Sequence, residues 1–157
     1  MVFENLVTQL GIYLATFVFC FIGGIFPFAN TEVYLVTVSA ISARETIIPI
    51  LIISIISQMA AKVIVYFAGN GAIKLPLRKY EKKIARVKEK FENSKVKPGY
   101  FVLISAMTGI PPFYIVTLLS GMMKVHIWDF ILFGLLGTSI KFTASLYLPQ
   151  VIKILFA

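Results

Sequence analysis

The chain is poor in the residues from which most enzymes build their chemistry. Its 157 residues include one cysteine (Cys20), one histidine (His126) and one aspartate (Asp129). A lone cysteine excludes an intrachain disulfide and a thiolate metal site. Set inside an apolar run, Cys20 reads as a small buried hydrophobe. One His and one Asp exclude paired aspartates, a His-rich metal centre and a His-based triad. Serine and threonine have no partner to activate them, so neither a cofactor nor catalysis is expected. Charge is scarce as well, at 14% of residues against about 25% in soluble domains.

Hydrocarbon fills the space that charge leaves. Apolar residues make up 59% of the chain and the mean hydropathy is +0.89, whereas about 45–50% apolar is usual for soluble domains. A chain of this length has room for one domain and a modest core. In water it would expose more apolar surface than it could bury. Its solvent must therefore be lipid, and residues 1–157 form a single membrane domain. Glu4 and the missing basic stretch before the first apolar run argue against a cleavable leader.

The net charge of +8 is not spread evenly, because ten basic and three acidic residues lie between Lys74 and Lys97. That segment should be cytoplasmic by the positive-inside tendency, which implies a multi-pass protein of the cell membrane. It can also touch anionic headgroups, at roughly 1 kcal/mol per basic residue. Nucleic-acid binding is not expected, since the run bridges membrane segments and carries no base-reading motif.

Along the chain, Leu6 to Phe26 is long enough to cross a hydrocarbon core as a helix. Proline at Pro27 breaks it. Asn30 or Thr31 can cap a new helix with Glu32 in its first turn. This helix, about Glu32 to Ala43, is too short to span and closes at Arg44-Glu45. Thr46 to Phe67 has spanning length, interrupted by Gln58 and Lys62, and ends at Gly69-Asn70-Gly71. Residues 77–91, with Tyr80, Ile84, Val87 and Phe91 on one stripe, predict an amphipathic helix at the membrane surface. Tyr100 to Met107 breaks at Thr108-Gly109-Ile110-Pro111-Pro112. A short helix, about Phe113 to Met123, then ends at Lys124. His126 and Trp128 mark an interface, and Ile127 to Leu148 can span, interrupted by Lys141. Gly109, Gly121, Gly134 and Gly137 suit close helix packing in lipid.

The halves resemble each other. Val36-Thr37 falls on Val116-Thr117, Arg44 on Lys124, and Lys62 on Lys141. The plan is two inverted repeats, about 6–70 and 99–150, joined by a basic loop, 71–98, that carries the amphipathic helix. Each repeat is a re-entrant helical hairpin plus one transmembrane helix, a recurrent transporter design. Non-helical backbone at that depth requires burial in protein or access to water. Ordinary proline-kinked spanning helices are the alternative.

Five charged residues lie in or beside apolar segments: Glu32, Arg44, Lys62, Lys124 and Lys141. Each costs at least ~2.5–3.5 kcal/mol at mid-membrane. Arg44 and Lys124 can instead snorkel to the headgroups. The hairpin tips are Pro27, Asn30, Thr31, Thr108, Gly109, Pro111 and Pro112. Two short helices starting there would aim unpaired N–H groups into one cavity, where Lys62 and Lys141 add full charges. A phosphate is the expected occupant, with proton binding at Glu32 coupled to its movement.

Thr108-Gly109-Ile110-Pro111-Pro112-Phe113, Ser120-Gly121, Phe130 and Gly137-Thr138-Ser139-Ile140-Lys141-Phe142 resemble the second half of DedA / SNARE-associated Golgi (VTT domain) proteins, nearest the short YqaA-like branch. Phe26-Pro27 with Glu32, and Tyr66-Phe67-Ala68-Gly69, match the first half, so the resemblance covers about residues 20–145. The family's Pro-x-Pro-x-Glu tip is stretched here, with one proline, and its Gly-Arg-x-x-Arg carries Thr138 and Lys141. A bidentate arginine grip on phosphate is thereby lost. The resemblance implies two opposed re-entrant hairpins and movement of lipids between leaflets. For prokaryotic-like members the implied lipid is a polyprenyl phosphate, moved with proton-motive-force dependence. The expected function is thus a lipid-phosphate flippase. A non-selective phospholipid scramblase, a non-transporting scaffold and a small ion or drug-proton antiporter are the rivals. Homo-oligomerisation is left open.

Overall fold

A computed structural model describes residues 2–26, 30–71, 81–93 and 96–156. The described residues are helical throughout their ordered elements, in the order α1 (Val2–Ile25), α2 (Thr31–Ile41), a 3-10 turn (Arg44–Thr46), α3 (Ile47–Gly69), α4 (Glu81–Asn93), α5 (Pro98–Thr108), α6 (Phe113–Met122) and α7 (Ile127–Phe156). Three of them contain stretches long and apolar enough to cross a membrane: Thr8–Ile25, Arg44–Gly69 and Ile127–Pro149.

The helix breaks follow local chemistry. Pro27 lies outside the described residues, but α1 ends at Ile25 and α2 begins at Thr31. The Asn30 side chain accepts from Val33 N at 3.3 Å and supplies the N-cap. In the second half, Gly109 takes φ 74°, a left-handed cap that a side chain would strain. The Thr108 hydroxyl donates to Ile104 O at 2.7 Å and accepts from Ile110 N at 3.2 Å. The Ser105 hydroxyl donates to Pro111 O at 2.7 Å, which holds the turn against α5. Pro112 then supplies the N-cap residue of α6.

Close approaches fix the directions. Phe17 and Gly24 of α1 meet Ser57 and Ala61 of α3, so these helices run parallel. Gly99 and Ala106 of α5 meet Phe133 and Gly137 of α7, again parallel. Met59 faces Gly134 and Tyr66 stacks on Phe130, so α3 and α7 are antiparallel. Glu32 and Ser39 of α2 reach Lys141 and Leu146, which aligns α2 with α7. Phe113 and Leu118 of α6 reach Lys62 and Gly69, which aligns α6 with α3. Both short helices therefore reverse the direction of the helix before them. Each also leaves its own half: α2 lies along α7, and α6 along α3.

Glycine permits the tightest of these crossings. A Cβ on Gly121 would overlap the Tyr66 carbonyl, and one on Gly69 the Leu118 carbonyl. The two short helices are seated in separate cores. One groups Leu35 and Val38 of α2 with Cys20, Ile50, Phe142 and Leu146. The other surrounds α6, whose residues from Phe113 to Gly121 are all buried.

Two expectations change. The stripe Ile84, Val87 and Phe91 of α4 does not face an open membrane surface; it is 9%, 7% and 7% exposed. Ile84 and Val87 join the core around α6, and the Phe91 ring packs edge-on against Phe101 of α5. Tyr80 lies outside the described residues. The last helix also passes through Pro149 to Phe156 rather than stopping at Leu148. One missing N–H costs a single helix bond, a loss that membrane helices tolerate.

Candidate functional site

Two lysines carried by the long helices lie beside both chain breaks. Lys62 on α3 and Lys141 on α7 each lie at least about 10 Å from the nearer end of their helix, at 1.5 Å per residue. Lys62 is 3% exposed, and its ammonium donates to Gly24 O, in the last turn of α1, at 2.9 Å. The rings of Phe113 and Tyr114, in the first turn of α6, lie 5.3 and 5.5 Å from it. A buried ammonium loses its hydration, and two ring faces with one carbonyl offset part of that loss.

Lys141 is paired with the Glu32 carboxylate from the first turn of α2. Their side chains are 22% and 38% exposed, so this pair lies at the edge of the buried centre. Glu32 also benefits from the helix N-terminus beside it. Gly109 borders the same lysine, for a Cβ there would be 3.9 Å from Lys141 Nζ. Each break in the chain thus runs from one lysine to the other. The first goes from Gly24 at Lys62 to Glu32 at Lys141; the second goes from Gly109 at Lys141 to Phe113 at Lys62.

The charges do not balance. Glu32 neutralises Lys141, while no carboxylate among the described residues is within ion-pair distance of Lys62. Glu32, Lys62 and Lys141 are nevertheless within electrostatic reach of one another. The cluster therefore holds two lysines to one carboxylate, walled by aromatic rings and helix ends.

Of the residues singled out in the sequence, the structure gathers Glu32, Lys62, Lys141, Asn30, Thr31, Thr108, Gly109, Pro111 and Pro112 at or beside the two breaks. Thr31 is buried at 3% exposure. Arg44 stands exposed in the 3-10 turn, and Lys124 is exposed in the turn after α6 at φ 52°. Both lie at the far ends of the short helices, about 15 Å along the axis from the lysine centre. In the sequence Gln58 reads only as an interruption of an apolar run. It is 9% exposed, one turn before Lys62, and its Oε1 is buried with no hydrogen-bond partner. Its spacing of four from Lys62 was a usable signal. The rings at Phe113 and Tyr114 carried no such signal, because their roles depend on α6 crossing to the other half.

The fold and the centre define an α-helical, membrane-embedded protein in which two broken helix pairs close over a charged core. A family model described as the VTT domain matches residues 26–150, and the chain belongs to that family, which includes the DedA and SNARE-associated Golgi proteins. No individual curated protein and no solved structure matches the chain.

Proposed function

We propose that the chain moves a lipid phosphate between the leaflets of the cell membrane, passing its head across the Glu32–Lys62–Lys141 centre. The observation that carries this reading is that both chain breaks bridge the same two lysines, one of which has no counter-ion among the described residues. In this reading the helix pairs α1–α2 and α5–α6 are re-entrant, and the halves are inverted repeats. The exchange of α2 and α6 between halves, with α3 antiparallel to α7, supports that arrangement. The basic segment 74–97 then faces the cytoplasm.

Binding of an anionic head near Lys62 would compete with Glu32 for positive charge. Protonation of Glu32 releases Lys141 to the phosphate, and deprotonation restores the pair and expels the head. Coupling to a proton gradient follows from that exchange. No bond in the lipid is made or broken, so the protein acts as a carrier and not as an enzyme. Polyprenyl phosphate, the class implied by the family resemblance, is the first substrate to test.

Reconstitution into liposomes containing labelled polyprenyl phosphate and phosphatidylcholine tests the reading. Movement of the phosphate alone, reduced at least tenfold in Lys62→Ala and made pH-independent by Glu32→Gln, is the expected result. Equal movement of both lipids would make the protein a scramblase. Movement of neither would leave a scaffold role for the basic segment.

A further inference from the structure

A groove of about 670 Å³ separates α4 from the turn between α5 and α6. Its two walls have different chemistry. Val87, Ile110, Pro111, Pro112 and Ile115 form an apolar floor, and Arg86, Lys90, Glu89 and Asn93 form a polar rim on α4. Arg86 and Lys90 are four residues apart and so share one helix face. With Glu89 beside them, the rim carries one excess positive charge and a neutral amide donor. The floor is not sealed: Ile110 is 77% exposed.

The groove has a direction. The Phe91 ring, next to Lys90, packs against Phe101 near the start of α5, while Val87 joins the core that holds Ile115. Lys90 therefore lies toward the base of the α5–α6 pair and the prolines lie at its far end. A head group at the rim would place its tail along the prolines.

We propose that this groove holds one acidic phospholipid of the surrounding leaflet as a resident ligand, its phosphate on Arg86 and Lys90 and its acyl chain on the Ile110–Pro112 turn. A free phosphate would satisfy the rim and leave Ile110, Pro111 and Pro112 wet. A neutral hydrocarbon would cover the floor and leave the cations unmet. A zwitterionic phospholipid brings its own cation to a rim that is already positive. An acidic lipid matches both walls, and the guanidinium of Arg86 can take the phosphate through two parallel bonds. The size is ordinary for a ligand site. The lipid would fasten the second chain break to α4. This binding is independent of whether the lysine centre moves lipids.

The test is native mass spectrometry of the full chain released from nanodiscs made of equal parts phosphatidylglycerol and phosphatidylcholine. One retained phosphatidylglycerol per chain is expected, with at least tenfold less retention in the double variant Arg86→Ala/Lys90→Ala. Ile110→Trp keeps both charges and fills the floor, and it should lose the lipid equally. Lys82→Ala/Lys88→Ala removes the same charge from the same helix away from the groove, and it should retain the lipid. Equal retention of both lipids by the native chain overturns the proposal. So does retention by Ile110→Trp, loss in the Lys82/Lys88 variant, or displacement of the lipid by millimolar inorganic phosphate.

Discussion

Replacing Glu32 by Gln removes the only carboxylate paired with Lys141 among the described residues. Fully exposed pairs contribute about 0–1 kcal/mol, and breaking a buried pair costs about 3–5 kcal/mol. With side chains 22% and 38% exposed, this pair falls between those limits. A coupling of about 1–3 kcal/mol is expected, discounted at its exposed, carboxylate end for screening. A double-mutant cycle isolates it: unfolding free energies in mixed micelles for the native chain, Glu32→Gln, Lys141→Gln and the double variant. The double variant should recover most of what either single variant loses, because no unpaired charge is left behind. Additivity within about 0.5 kcal/mol would show that the two groups do not act as a pair.

Lys62→Met should leave the thermal midpoint unchanged or raise it, since an apolar chain replaces a desolvated ammonium between two rings, while phosphate movement in liposomes falls. Gly121→Val should destabilise by about 1–3 kcal/mol or more, because its side chain would overlap the Tyr66 carbonyl. Gly11→Ala meets nothing within 4 Å and should be stabilising by up to about 1 kcal/mol as a helix-favouring change, both read by denaturation midpoints. Tyr66→Phe deletes the hydroxyl that donates to Val125 O and should cost about 1 kcal/mol in the same assay.

The helices were largely legible because each boundary has a local cause. Pro98, Asn30 and the Gly109 turn act within a few residues of themselves, so their effect can be read from sequence. The matching positions of Lys62 and Lys141 were legible for the same reason, as an offset between two similar strings. Contacts between halves were not. Nothing local to Phe113 or Tyr114 says that α6 lies against α3, or that their rings meet Lys62. Arg44 and Lys124 resemble the central lysines in composition, and only the lengths of α2 and α6 separate them from the centre. The apolar stripe of α4 had the right period, yet periodicity cannot distinguish a lipid partner from a protein one.

The central claim is that the chain turns back inside the bilayer at both breaks. A nitroxide on Ile110→Cys, in a Cys20→Ser background, reports the depth of the second turn through its collisions with oxygen and with a water-soluble nickel chelate in liposomes. Helix α5 has 11 residues, so at 1.5 Å per residue the turn should lie about 16 Å from the base of its pair, well inside the hydrocarbon. A label at headgroup depth would contradict the account.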